Sequence, residues 1–302
     1  MAVSKASGGL EYKIGIVTVS YGSGDELREF LNSLLIFMPE LSKHLVVVDN
    51  KPGPDGVAEL AAEFQAAYLP LESNPGYGAG MNAGVARLRS EAEKEGEAPF
   101  DAYFICNPDV QFIDDAITPL ADVLGSDHSV GSVGPKLLNT DGTVYPSARN
   151  IPSISTGLGH ALFSKVWPRN PWSRAYKNEG DYSDLRDAGW LSGAAVLVRA
   201  EVFERLGGFD EGYFMHFEDI DLGYRIGEAG YRNVLVPAAT VVHSGAHSTE
   251  KHAAVVEEAM HQSAIRFMKK RYAGFWKTPL RLAIIAGLKV RASLKLKRIE
   301  RA

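Results

Sequence analysis

One cysteine, Cys106, stands in 302 residues, so no disulfide can form within the chain and the composition fits a reducing compartment. No run of 18 consecutive apolar residues occurs, which leaves no candidate for a bilayer-crossing helix. The first nine residues lack the apolar stretch of a secretory signal. Internal repeats and low-complexity tracts are absent as well. What remains is an ordinary globular composition, 45% apolar and 23% charged, with ample material for a core and a cytoplasmic location as the expectation. The net charge of −5 is unevenly spread. Residues 266–302 hold twelve Lys and Arg against one acid, Glu300, so this stretch carries +11 and the rest −16. A basic block of that kind meets an anion, either nucleic acid or an acidic membrane surface.

Over the first 130 residues two kinds of segment alternate. Lys13–Ser20, Leu45–Val48 and Ala102–Cys106 are short, apolar and β-branched or aromatic, as buried parallel strands are. Helical patterns at 25–37, 56–66 and 79–95 lie between them, each opened by Gly, Pro or Asp. Strand–helix alternation predicts an α/β fold with a doubly wound, mostly parallel sheet and helices on both faces. Ligands of such sheets bind at the carboxyl ends of the strands. Here those ends read Ser20-Tyr21-Gly22, Asp49-Asn50 and Asn107-Pro108-Asp109. Residues 146–187, rich in Pro, Ser, Asn, Trp and Arg, are expected as a surface excursion over the site. A buried strand Trp190–Val198, a helix from Glu201, strand pieces at Asn233–Val236 and Val241–His243, and a helix over 252–271 complete the expected order. A basic amphipathic helix closes it, with Leu288, Ala292, Leu296 and Ile299 at helical spacing among Lys and Arg. Such a helix suits anionic lipid. An ordinary surface helix packed by that stripe reads the same way, and nucleic acid is disfavoured because stacking aromatics do not interleave with the charges.

The densest chemistry lies in Gly207–Arg225, where an aromatic run leads into Glu218, Asp219 and Asp221, three carboxylates in four residues. They repel one another unless a metal, water or proton relieves them, and one held against an apolar wall can serve as a general base. A helix start with acidic residues at its positive end accounts for the spacing equally well. Asn107-Pro-Asp109 can place a carboxylate where a divalent ion neutralises a diphosphate, or can be a simple turn. Asp49 ends its strand where a nucleoside would lie, or begins a loop. Asn74-Pro-Gly-Tyr-Gly-Ala-Gly-Met-Asn82 feeds a helix with glycines that allow close backbone approach to an anion or close packing. His243, at a strand end, is a metal ligand or a core histidine.

Taken in order, Val17–Tyr21, Val47–Asn50, Asn74–Gly78, Asn107–Asp109, Leu191–Ala194 and Gly207–Leu222 resemble the family 2 glycosyltransferases of the GT-A fold, in their bacterial rhamnosyltransferase-like branch. The resemblance runs from about Ile14 to about Tyr272. It implies a GT-A domain over 12–272 and a helical extension over 273–302. It further implies inverting transfer of a sugar from a nucleoside diphosphate to an acceptor hydroxyl, with Mg²⁺ or Mn²⁺ as cofactor. Asp219 is then the catalytic base. Asp109 takes the metal role of the family's Asp-x-Asp motif, with His243 as second ligand because Asn107 replaces the first Asp. Tyr21, Asp49, Asn74, Gly78 and Asn107 line the donor, Asp49 through the N3–H of uracil or thymine. Trp190 and Glu218 contact the acceptor, while Glu218 and Asp221 shape the site. The donor expected in this branch is dTDP-L-rhamnose and the acceptor a polyprenyl-diphosphate-linked saccharide, reached on the inner face of the plasma membrane. A UDP-sugar donor, a sugar nucleotidyltransferase and a non-catalytic glycan-assembly module are the alternatives.

Overall fold

The computed structural model describes residues 12–152, 181–245 and 253–299. Most of the expected excursion over 146–187 therefore lies outside the described residues. Strands β1 (Ile14–Ser20), β2 (Leu45–Asp49) and β4 (Ala102–Cys106) are buried on both faces, and with the half-buried edge strand β3 (Ala67–Pro70) they pair in parallel in the order β3-β2-β1-β4. Strand alternation divides their side chains between two cores. Ile14, Ile16, Leu45, Val47 and Phe104 face one, and Val17, Val19, Val46, Val48 and Ile105 the other.

Helices cover both faces, as expected. On the first lies α1 (Gly24–Phe37), whose Leu27, Phe30, Leu31 and Leu34 follow helical spacing. With it lie α2 (Val57–Glu63) and an unforeseen helix, α4 (Ile117–Ser126). On the second lies α3 (Tyr77–Glu95), buried through Met81, Val85, Leu88 and Ala92. It ends where Gly96 takes a left-handed φ of 68° and returns its N–H to Ala92 and Glu93.

Beyond β4 the sheet becomes mixed. Strands β5 (Val110–Phe112), β6 (Val130–Leu138) and β7 (Val144–Tyr145) precede the excursion. At the excursion's two ends lie β8 (Ala148–Arg149) and β9 (Arg186–Ala188). The strand expected over Trp190–Val198 is two, β10 (Trp190–Leu191) and β11 (Ala195–Arg199). A turn at 192–194 separates them, closed by the Ala195 N–H on the Ser192 carbonyl at 3.3 Å. Because β11 starts from that turn at the carboxyl rim, it runs antiparallel to both β4 and β6 and brings its first residues to the rim. Conversely, the two strand pieces expected near 233 and 243 are one, β12 (Arg232–His243), with a register shift between Val236 and Thr240 where proline interrupts the ladder. Strand β12 pairs with β6 in parallel and carries β5 and β9 antiparallel.

Helices α5 (Ala200–Arg205) and α6 (Glu218–Glu228) follow β11. The chain closes with α7 (Ala253–Arg271), a 3-10 turn at Phe275–Lys277, and α8 (Thr278–Ile299) packed on α7. Two members of the predicted stripe of α8 can be placed, and both lie on its inner side. Leu288 and Ala292 are half-buried, together with Ile284 and Ile285, while a different set of apolar residues faces outward.

Helix α3 lies so close to the sheet that a Cβ at Gly84 would come within 2.3 Å of Val17 Cγ1 and 2.9 Å of Val48 Cγ2. Alanine's helix propensity favours Gly84→Ala by about 1 kcal/mol, and overpacking against two stiff valines, one only 2.3 Å away, opposes it by the upper part of the usual range, about 2–3 kcal/mol. Gly84→Ala is therefore expected to lower stability in urea denaturation by about 1–2 kcal/mol, and a variant as stable as wild type would refute this packing.

Candidate active site

The carboxyl rim gathers every motif of the sequence. At the ends of β1 and β2, Asp49 is fully buried and accepts from the Lys51 N–H and the Tyr68 hydroxyl, both at 2.9 Å. Burial, then the bond to Asp49, pushes the Tyr68 hydroxyl up to about 12, so it stays a donor. Tyr21 stands open beside them with Lys51 Nζ 5.3 Å from its ring centre, which puts an aromatic face and a cation at the expected nucleoside end. Asn74 shapes the glycine loop. Its side-chain oxygen accepts from Asn50 at 3.1 Å and from the Gly76 N–H at 3.0 Å. Gly78 is buried, and a Cβ there would meet Phe209 at 2.9 Å, so its smallness serves the approach of α3 to Phe209.

A second group hangs from β4 and β12. His243 Nε2 lies 3.2 Å from Asp109 Oδ1 and 3.3 Å from the Asn107 amide nitrogen, and all but its edge is buried. Tyr145 packs edge-on against the imidazole at 5.5 Å, and the Ser244 N–H donates to the Asp109 carbonyl. Beside Asp109 a cleft of about 310 Å³ opens, bordered by Asp25, Glu26, Glu29, Gln111 and Ser244. One carboxylate and one imidazole at the distance of adjacent ligands of one cation, with Nδ1 of His243 buried and unbonded, fit Mg²⁺ or Mn²⁺ whose remaining positions come from water and phosphate oxygens. Among the described residues no group of three His, Cys, Asp or Glu forms a metal cage, so such an ion depends on its substrate for most of its ligands.

The carboxylate cluster opens α6, and its three members have three fates. Asp221 is fully buried between Arg225 at 2.5 Å and Lys270 at 2.6 Å. Asp219 is half-buried at the rim and accepts from the Gly193 N–H at 3.2 Å and the Ile220 N–H at 2.8 Å. Glu218 is buried behind it, with Oε2 unbonded. Burial raises both Glu218 and Asp219, and for Glu218 the neighbouring Asp219 charge raises it further. The N–H groups of Gly193 and Ile220 oppose that rise at Asp219, while the Asp219 charge adds to the rise at Glu218.

Asp219 and the Asp109–His243 pair are linked through the turn at 192–194. The Asn107 N–H donates to the Ala194 carbonyl at 3.0 Å, one residue from the Gly193 that holds Asp219. Tyr77 donates to the Gly193 carbonyl at 2.6 Å. Tyr145 is raised chiefly by burial, and the charges of both Asp219 and Asp109 add to the shift. Two expected contacts are placed differently. Trp190 is 8% exposed, spends its indole N–H on the Asn150 carbonyl and packs from β10 onto α6, where a Cβ on Gly223 would strike it. Glu218 lies beneath Asp219, away from solvent, because the helix turn directs it inward. Sequence reading did not single out Lys51, Tyr68 or Tyr77. A lysine directly after Asp49-Asn50 and a tyrosine inside the glycine loop were the available signals.

The profile of Glycosyl transferase family 2 matches residues 15–207, and that of Glycosyltransferase like family 2 matches residues 182–263. The N-acetylglucosaminyl-diphospho-decaprenol L-rhamnosyltransferase of Mycobacterium tuberculosis is 40% identical over 94% of this chain and 94% of its own. Rhamnosyltransferase WbbL of Escherichia coli is 29% identical over 77% of this chain and 83% of its own. Among solved structures, GalNAc-T7 with UDP, GalNAc and Mn²⁺ aligns with TM-score 0.57 at 16% identity, over 89% of this chain and 53% of that one. The mannosyltransferase PcManGT from Pyrobaculum calidifontis with GDP-Man and Mn²⁺ aligns with TM-score 0.56, also at 16% identity, over 95% and 72%. These two likenesses are of fold, and the fold is the α/β, GT-A arrangement expected.

A raised carboxyl makes folding pH-dependent. The folded protein binds the Glu218 proton more tightly than the unfolded chain, whose value is the ordinary 4.5, so stability falls as pH rises from there through the raised value. Glu218→Gln removes that dependence. Urea denaturation is expected to show the variant gaining on wild type from pH 5 to pH 9, by on the order of a few kcal/mol. A difference that stays constant with pH would refute the assignment of the proton.

Proposed function

The chain belongs to glycosyl transferase family 2, and from that premise we propose that it transfers L-rhamnose from dTDP-L-rhamnose, with inversion, to an N-acetylglucosaminyl-diphospho-polyprenol. The relative of 40% identity carries that acceptor and sugar in its name, and its match spans nearly both whole chains. The observation that carries the chemistry is Asp219: a rim carboxylate fixed by two backbone N–H groups beside buried Glu218, and tied to the Asp109–His243 pair through the turn at 192–194.

Asp219 accepts the proton of the acceptor hydroxyl as its oxygen attacks the anomeric carbon, a task that contributes about 10²–10⁴-fold in rate. One base and one displacement invert the anomeric centre. Gly193 and Tyr77 keep Asp219 from swinging, and buried Glu218 restrains a second charge from forming next to it. Asp49, Tyr21 and Lys51 hold the nucleoside end, and the Asn74 loop shapes the wall beside it. A divalent cation held by Asp109 and His243 would offset charge on the departing diphosphate.

A UDP-sugar donor is the second reading, favoured by the UDP in the GalNAc-T7 structure, which shares the fold. Calorimetry separates the two. Tighter binding of dTDP-L-rhamnose than of UDP-sugars, in the presence of Mg²⁺ or Mn²⁺, is the expected result, and the reverse order overturns the donor assignment.

Asp219→Asn is expected to cut transfer about 10²–10⁴-fold while leaving the donor dissociation constant within about twofold. An active variant removes Asp219 as the base. His243→Ala is expected to weaken dTDP binding measured with Mn²⁺ by about tenfold, the scale on which even supporting residues of metal sites act. Metal-free dTDP binding should stay unchanged, and equal loss with and without Mn²⁺ would make His243 a packing residue.

A further inference from the structure

Helix α8 presents two apolar faces, and only one is used. Its inner face, with Ile284, Ile285, Leu288 and Ala292, lies half-buried on α7. Its outer face exposes Leu280, Leu282 and Val290, with Ala283 and Ala286 between them. These positions recur at helical spacing, so they form a continuous strip on the side away from α7. The turn before the helix extends the strip: Phe275 is 82% and Trp276 92% exposed, and their rings pack edge to face at 5.7 Å. Single exposed apolar residues are common on soluble proteins, but a strip that includes two nearly bare aromatics is not.

Charge identifies the occupant. Lys277, Lys289 and Arg291 are exposed around the strip, within a segment that carries twelve Lys and Arg against one acid. A second protein copy would bring the same positive charge to the interface, whereas an acidic lipid surface offsets it. Exposed Trp with basic residues is the composition that settles at the headgroup level of a bilayer. Among the described residues no helix is long and apolar enough to cross a membrane.

We infer that the outer strip of α8, led by the Phe275–Trp276 turn, docks on the surface of an anionic phospholipid bilayer. This rests on the lipid-linked acceptor proposed above, and the fold places the strip usefully for it. Helix α7, on which α8 packs, also holds the turn that leads to the base, through Ser263 on the Met215 carbonyl, Phe267 against Phe217, and Lys270 on Asp221. One helix layer, about 10 Å, separates the docking strip from that turn.

The test mixes the full chain with vesicles of phosphatidylcholine, with and without phosphatidylglycerol, and measures co-sedimentation. Binding is expected only with phosphatidylglycerol, falling with salt. The paired variant Phe275→Ser/Trp276→Ser and the triple variant Lys277→Glu/Lys289→Glu/Arg291→Glu should each lose about tenfold or more in affinity. All three proteins should melt at the same temperature and transfer equally to a short-chain, water-soluble acceptor, while only wild type works at full rate on a long-chain acceptor embedded in vesicles. Unchanged vesicle binding in the paired variant overturns the inference. So does a wild-type protein that ignores vesicles but forms a dimer abolished by Phe275→Ser/Trp276→Ser. Vesicle binding as expected without transfer to any acceptor upholds the docking surface and removes the proposed activity.

Discussion

The site depends on one strained turn. His216 and Phe217, neither of them glycine, hold φ of 62° and 69° directly before α6. Left-handed backbone at such residues costs about 1–3 kcal/mol each and persists only when the surroundings enforce it. Two elements enforce it here. From one side, the start of α3 presses on Phe214, whose carbonyl accepts the Tyr77 N–H and leaves no space for a Cβ on Gly76. From the other, α7 grips Met215 and Phe217. The glycine loop near residue 76 and the helix after 253, distant in sequence, thus set the direction in which Asp219 points.

The same turn explains how three carboxylates coexist in four residues. Each is relieved by a different device: two cations for Asp221, two peptide N–H groups for Asp219, a retained proton for Glu218. Removing any device would set two like charges side by side in a place with little water, where repulsion is strong. Asp219, the proposed base, stays open at the rim because its neighbours have been given other solutions.

Much of this was legible beforehand for a simple reason. Buried parallel strands are uniformly apolar, so β1, β2 and β4 stood out, and polar residues at their ends marked the rim. Asp109 and His243 meet because strand ends converge at the rim, and the turn at 192–194 ties Asp219 to the same region. Residues whose identity is ordinary and whose role arises from a distant partner could not be read. Trp190 looks like a ligand platform in sequence, but Gly223 opens a slot that buries it. Tyr68 and Tyr77 acquire meaning only from Asp49 and Gly193, 19 and 116 residues away. In α8, helical spacing exposes two apolar stripes, and which one meets α7 is set by α7.

The sequence by itself determined the alternation of strand and helix, the polar rim and the family, because these rest on local pattern and motif order. Tertiary structure alone decided how each carboxylate of the cluster is relieved, since that depends on burial and on partners such as the Gly193 N–H and Lys270 that come from distant segments. It also decided which face of the last helix is left bare, since a stripe is free only when no other element covers it.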